Sequence, residues 1–321
     1  MNRYDVVCIG MAILDSIVRG FDPEPVSRAG FRAESGTLNV GGDAVNEAVA
    51  LAKLGVNTAI LCSLGNDPAG DIIMGELAAA NVDTSAVLRS DVNPTPITTI
   101  FVGSDGNRKS ITNKAHSYNF HPERHAELFT DARAIIMGSL FRAPFNDPDV
   151  IRTVVSAAKA KGALVFADTK LPNFRKLTLD DIADSLPLID YITPNEDEGR
   201  YYTGKEDPAE MAEVFLAKGA NNVIIKLGRK GCFFRNRELS LHVPAYPVEA
   251  VDATGAGDNF IAGFVSEILR GSSIEDALVF ASACGGICST AVGAGTALRD
   301  RQQAAAFIQQ NADQSGIRQK S

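Results

Sequence analysis

The sequence predicts an α/β fold with a mainly parallel central sheet, helices on both of its faces and a small β-sheet lid. Three observations carry this reading. Short apolar runs of β type alternate with amphipathic helical stretches through nearly all of the 321 residues, the pattern of parallel strands joined by crossover helices. Two stretches, Asp15–Val40 and Pro96–Thr112, break the alternation and carry β-like pieces with no helical period. Both come after strands of the main sheet, so together they predict the lid, whose closure would exclude water from a reacting site.

Tyr4–Gly10 reads as the first strand. Ala44–Leu54 reads as a helix with Val45, Ala48, Val49 and Ala52 on one face, Asp43 as N-cap and Gly55 as the C′ residue. Thr58–Leu64 is the second strand and Ala69–Ala80 the second helix. Ala134–Met137, Ala163–Ala167, Tyr191–Thr193 and Val223–Leu227 are short buried strands, separated by helices near Asp149–Lys161, Glu196–Tyr202 and Ala209–Lys218. In the lid, Pro23 and Pro25 interrupt the first segment. Thr98–Val102 and Arg108–Thr112 alternate as a hairpin around the turn Ser104-Asp105-Gly106-Asn107. The chain therefore divides into a large α/β domain (1–14, 41–95 and 114–309), lid segments 15–40 and 96–113, and a polar tail, 310–321, expected to fray.

Composition narrows the function classes. Apolar residues make up 45% and charged residues 22%, the proportions of an ordinary globular protein. A net charge of −8 argues against bulk nucleic-acid binding, which needs a basic patch, but leaves room for a local anion site. The five cysteines form no CxxC pair and read as small buried hydrophobes in a reducing compartment. Val6–Ile9 is too short for an export signal, and Asp15 interrupts the apolar residues after it, so a cytoplasmic location is expected. Ala277–Leu298 lacks charge, yet its glycines, serines and threonines predict a buried helix and loop, not a membrane span.

Two glycine loops carry the chemistry. The first, Asn39-Val40-Gly41-Gly42-Asp43-Ala44-Val45-Asn46, places paired glycines before a helix, with Asn46 in its first turn. Alone it reads as a tight turn, or as a loop that lets a ligand approach the backbone. The second, Asp252-Ala253-Thr254-Gly255-Ala256-Gly257-Asp258-Asn259-Phe260, opens a helix whose buried face carries Phe260, Ile261, Phe264, Val265, Ile268 and Leu269. Gly255, Ala256 and Gly257 then lie at the helix N-terminus, where unpaired N–H groups cradle an anion. A carboxylate beside that cradle, Asp258, repels phosphate but suits a base that takes a proton from an attacking hydroxyl. The plainer alternative is an acid complementing the helix dipole. A dinucleotide fingerprint would need Gly where Phe260 stands, and the Gly204-Lys205 pair is followed by Glu206, which excludes a Walker loop.

On these residues the chain resembles the ribokinase (PfkB) family of carbohydrate kinases, roughly from Tyr4 to Leu298. Gly41–Asn46 is similar to the family's first glycine motif, and Asp252–Phe260 is close to a full match to its second, with GAGD intact. The resemblance implies the ribokinase-like three-layer sandwich, with the nucleotide site in 114–309. It implies transfer of the ATP γ-phosphoryl group to a hydroxyl of a small sugar or sugar acid. Asp258 would be the catalytic base, and the amides of Gly255, Ala256, Gly257 and Asp258 the hole for developing charge. Asp15, Gly41, Gly42 and Asn46 would contact the sugar. Thr193-Pro194-Asn195-Glu196-Asp197-Glu198 resembles the family's N-x-x-E motif, so Glu198 would organise Mg²⁺ through water, with Asn195 near the phosphates. Gly228 and Gly231 would border ATP, and Lys226 or Lys230 would add positive charge. Ser282 and Ser289 fall where relatives border adenine and ribose. Asp252 falls where some relatives help bind a monovalent cation, which leaves K⁺ activation open. Asp168 falls where the family often has Asp.

Two departures leave the substrate open. Gly138-Ser139-Leu140-Phe141-Arg142 replaces a carboxylate that ribokinase-like members often carry, with Arg142 either facing an acidic sugar or the surface. Asp43 differs from the residue common at its position. A nucleoside kinase of the same fold is the alternative, with Phe101, Phe120 and Phe141 available for a base slot. A non-catalytic sugar-binding module is a third reading, opposed by the intact GAGD loop, Asn195 and Glu198. The expected partner is a small sugar-type molecule, with no nucleic acid and no membrane, and lid strand edges suggest a homodimer paired through the lids.

Overall fold

A computed structural model describes residues 2–20, 33–103, 108–113, 120–173 and 175–311 of the chain. The lid prolines Pro23 and Pro25, the turn at 104–107 and most of the tail lie outside the described residues.

The first part of the chain runs β1 (Tyr4–Ile9), β2 (Ile13–Arg19), β3 (Ser35–Gly41), α1 (Asp43–Lys53), β4 (Thr58–Leu61), β5 (Ser63–Gly65), α2 (Pro68–Ala79), β6 (Leu88–Ser90), β7 (Ile97–Val102) and β8 (Arg108–Thr112). It continues with β9 (Ala132–Leu140), α3 (Pro148–Ala160), β10 (Leu164–Thr169), β11 (Tyr191–Ile192), α4 (Glu196–Thr203), α5 (Pro208–Ala217), β12 (Asn222–Lys226), β13 (Cys232–Arg235) and β14 (Ser240–Val243). It ends in α6 (Ala256–Arg270), α7 (Ile274–Cys288) and α8 (Arg301–Gln310). The large sheet has eight strands in the order β14-β13-β12-β11-β10-β9-β1-β4. Its pairs are parallel from β4 to β12, and β13 and β14 add an antiparallel edge.

Side chains alternate across this sheet into two separate cores. Val6, Cys8, Ala134, Ile136 and Phe166 face the side covered by α1, α2, α6 and α7. Val7, Ile9, Ile135, Met137, Val165 and Ala167 face the side covered by α3 and α5. This is the expected three-layer arrangement, and burial on both faces explains why the strands read as unbroken apolar runs. Three helices begin at an Asp-Pro pair, in which the Asp side chain caps a free N–H and the Pro fills the first helical turn: Asp67, Asp147 and Asp207. In the first core Phe166 stacks on Tyr191 at 4.9 Å, and Phe264 of α6 meets both rings edge-on.

Two local expectations are corrected. The strand read over Thr58–Leu64 is two strands. Thr58–Leu61 pairs with β1, and Ser63–Gly65 leaves the sheet to pair with β6. Both pieces are largely buried, so the apolar run hides the change of partner. Asp43 is not the N-cap of α1. The helix starts at Asp43 itself, Gly42 is the cap residue without a side-chain bond, and the Asp43 carboxylate is drawn to Ser139 and Lys170 instead.

The second sheet has the order β3-β2-β7-β8. Register places Asp15 opposite Asn39 and Thr98 on one face, and Leu38, Ser16, Thr99 and Ile111 in one row on the other. On that second face Leu38, Ile97 and Ile111 are exposed. Among the described residues no helix is long and apolar enough to cross a membrane.

Helix α6 anchors the first core through one ring. Phe264→Ala is expected to cost about 3–5 kcal/mol, because a buried aromatic leaves a cavity that its neighbours fill only in part. Urea unfolding tests this. A loss under about 1 kcal/mol would show that α6 is held elsewhere.

Candidate active site

The site begins where the two glycine loops meet. Gly255 precedes α6 with φ +76°, a conformation that side-chain-bearing residues rarely adopt. A Cβ there would also stand 2.2 Å from the Cβ of Ala294. The tight entry leaves the first amides of the helix pointing outward. The Ala256 N–H is bonded to the Ala253 carbonyl at 3.2 Å. Among the described residues no hydrogen bond engages the N–H of Gly255, Gly257 or Asp258. The available cradle is therefore those three amides, without Ala256.

Asp258 lies in the first turn of α6 and is 5% exposed. Its Oδ2 accepts from Asn46 Nδ2 at 2.7 Å, joining α6 to α1. Burial, and then the nearby Asp43 carboxylate, push the Asp258 carboxyl up to about 7. Lys170 and the Asn46 bond pull the other way. Lys170 is itself held charged. Burial opposes its charge, but Asp43, Asp168, Asp258 and Glu198 together outweigh that cost and raise it.

Asp15 stands on the face of β2 that also carries Asn39 and Thr98 across the pairing. Its Oδ2 would be 2.6 Å from a Cβ on Gly41, so Gly41 leaves the room the carboxylate uses. Burial raises the Asp15 carboxyl to about 6. Arg142 is exposed and donates to the Leu171 carbonyl at 2.7 Å.

On the far side, Asn195 and Glu198 form a capping box at the start of α4. Asn195 Oδ1 accepts from the Glu198 N–H, and Glu198 Oε2 accepts from the Asn195 N–H and from Thr169 Oγ1 at 2.8 Å. Burial, then Asp168, raises the Glu198 carboxyl. Lys226 pairs with buried Asp168 at 2.5 Å, and its Nζ would lie 3.4 Å from a Cβ on Gly257. One cation thus links the end of β12 to the N-terminus of α6. Lys230 turns away and pairs with Glu196 at 3.2 Å. Gly228 and Gly231 frame the turn from β12 to β13, with φ +56° and +93°.

Three expected residues are occupied otherwise. Asp252 bonds the N–H and hydroxyl of Thr254 and the N–H of Gly293, tying two loops beside the cradle. The Ser289 hydroxyl donates back to the Gly285 carbonyl of its own helix. Ser282 is buried in α7, with its side chain against the Cys232 thiol. Two further residues were invisible as site residues. Lys170 has no motif of its own, and Glu47 reads as one more helical residue. Glu47 lies off the Val45, Ala48, Val49 and Ala52 face, and its only sequence signal is that Ala44, Ala50 and Leu51 surround it on α1.

A cavity of about 440 Å³ adjoins Asn46. Val45, Val49 and Ala294 form its buried floor, with Leu38, Val40 and Ile72 on its wall and Asn39, Glu76 and Thr296 among its polar lining.

Comparison with known proteins places this geometry. Residues 4–301 match the model of the pfkB family carbohydrate kinases. The chain is 30% identical over 253 residues to a ribokinase of Staphylococcus aureus, covering 75% of this chain and 78% of that protein. The structure of Arabidopsis thaliana ribokinase with ribose and ATP superposes with a TM-score of 0.84 at 26% identity, covering 95% of this chain and 98% of that one. An E. coli protein described as a candidate ribokinase II, solved with ATP and Mg²⁺, gives 0.78 at 27% identity, covering 96% and 99%.

The raised carboxyl of Asp258 has a measurable consequence. A carboxyl raised in the fold binds its proton more tightly folded than unfolded, so stability from it falls as pH climbs toward the folded value. Asp258→Asn removes that loss. Its melting temperature is expected to exceed the parent's by at least about 2 °C near pH 8, with the two converging near pH 4. A gap independent of pH would contradict the burial argument.

Proposed function

The chain belongs to the pfkB family of carbohydrate kinases, and we propose that it transfers the γ-phosphoryl group of ATP to a hydroxyl of a small sugar or sugar acid, with Asp258 as the base. One observation carries the choice of base: a buried carboxylate in the first turn of α6, next to unbonded amides. Its raised affinity for a proton places it near the pH at which a base works best. The acceptor hydroxyl gives its proton to Asp258 as its oxygen attacks phosphorus. Charge growing on the transferred group meets the N–H groups of Gly255, Gly257 and Asp258.

Asp15, Gly41, Gly42 and Asn46 hold the acceptor in this reading. Asp15 accepts from its hydroxyls, while Asn46 fixes the Asp258 carboxylate. Asn195, Lys226, Gly228 and Gly231 border the nucleotide, and Ser282 and Ser289 fall on the helix behind it. Asn195 and Glu198 would hold Mg²⁺ through water, an outer-sphere role that suits a carboxylate already committed to a capping box. When bound, Mg²⁺ would neutralise charge on the phosphates. The second sheet acts as a lid over Asp15, and its exposed face, with Leu38, Ile97 and Ile111, pairs with a second copy of the chain. A monomeric mass by light scattering would remove that pairing from the reading.

A nucleoside acceptor is the second reading, and one observation favours it. The cavity beside Asn46 sets apolar Val45, Val49 and Ile72 beside polar Asn39, Asn46 and Glu76, and a nucleoside offers both an apolar base and a polar ribose to such a lining.

Asp258→Asn is expected to lower kcat by at least about 100-fold while acceptor still binds. Near-normal turnover would overturn the role of the base. ADP release measured across sugars, sugar acids and nucleosides decides the acceptor. Turnover confined to nucleosides would replace the sugar reading.

A further inference from the structure

Glu47 follows Asn46 on α1 and is fully buried. Among the described residues neither of its carboxyl oxygens has a hydrogen-bond partner. Oε2 approaches β9, where a Cβ on Gly138 would stand 3.3 Å away. One oxygen each from Glu47, Asp168 and Asp258 lie within 4.8 Å of one another. The charged and titratable groups around Glu47 come from every packed element: Asp258 from α6, Asp168 from β10, Lys226 from β12, the Cys8 thiol from β1 and Asp43 from its own helix.

The cations here are already committed. Lys226 is paired with Asp168 and Lys170 with Asp43. Asp258 accepts from Asn46. Among the described residues Glu47 has neither an ion pair nor a hydrogen-bond donor, and the nearby Lys226 is taken by Asp168. Three carboxylates in so small a buried space cannot all be ionised, and the proton settles on the member least supported as an anion.

We propose that Glu47 is held in its acid form at neutral pH and acts as the positioning residue behind Asp258, filling the space beneath the base without adding a negative charge. This rests on the reading of Asp258 as the base. Burial agrees with it, since burial first, and then Asp258, Asp168 and Asp43, push the Glu47 carboxyl well above its ordinary range. A neutral carboxyl leaves the anion cradle free of one more charge facing the phosphates. An ionised Glu47 would drive Asp258 further toward protonation and spoil it as a base.

Three measurements on the full chain test this. Infrared difference spectra between the parent and Glu47→Gln near pH 8 are expected to contain a carboxylic-acid carbonyl band that the variant lacks. No such band means that Glu47 is ionised, and the proposal fails. The acidic limb of the pH profile of kcat/KM, which reports Asp258, is expected to stay within about 0.3 pH unit in Glu47→Gln. A downward shift of about one unit or more would show that a charge had been removed. Glu47→Ala is expected to lose about tenfold in kcat with little change in KM, and Glu47→Gln to regain most of it. A Glu47→Gln enzyme that recovers only with excess Mg²⁺ would make the cluster a cation site and overturn the proposal. The infrared band does not depend on turnover. It therefore still reports the proton on Glu47 if Asp258→Asn disproves the base.

Discussion

The bond from Asn46 to Asp258 joins two loops 212 residues apart, and the site depends on it. Each loop is a glycine-led entry into a helix, and neither makes a site alone. The first loop supplies Asn46 and room for Asp15. The second supplies the amide cradle and Asp258. The parallel sheet makes the meeting possible, because β1, β9 and β10 point the same way and end at the same edge. Met11 and Ala12, Phe141 and Arg142, and Lys170 follow those three strands there.

That edge carries a surplus of acid, most of it buried. Asp43, Glu47, Asp168, Glu198 and Asp258 face Lys170 and Lys226. Removing carboxylates from water is expensive unless each is paired or protonated. The pairs Lys226–Asp168 and Lys170–Asp43 neutralise two of them. Glu198 is stabilised by donors from Asn195 and Thr169. What remains is Asp258 and Glu47, and burial, then Asp43, raises the proton affinity of the proposed base. The chain's overall acidity does not conflict with a phosphate site, because phosphates meet backbone amides, a helix N-terminus and a divalent cation before they meet many side-chain cations.

Much of this was legible in the sequence, for physical reasons. A strand buried on both faces must be apolar throughout, so β1, β9 and β10 stand out. Gly255 is forced by a sharp helix entry, so the GAGD loop marks its own position. Other features depend on partners distant in the chain. Glu47 reads as a surface acid until β9 and β10 are seen to cover it. Asp43 looks like an N-cap because it precedes an apolar period, but Ser139 and Lys170 compete for its carboxylate. The break inside Thr58–Leu64 leaves no mark, because β4 and β5 are both well buried while pairing with different strands. The hydroxyl of Ser282 faces the core, where sequence position alone suggests a nucleotide contact.

Asp258 shows how opposing terms set a working value. At a helix N-terminus the dipole and free amides favour the charged carboxylate and lower its proton affinity. Burial and neighbouring acids favour the neutral form and raise it. Lys170 and Asn46 restore part of the first effect. A carboxyl controlled by the helix end alone would be too weak a base to take a proton from an alcohol. One controlled by burial alone would stay protonated and could take none. The balance of these terms lies between the two limits, and it moves if any one neighbour changes charge. The protonation state of Glu47 therefore bears on the proposed base as directly as a group that touches the acceptor, although it lies beneath the site.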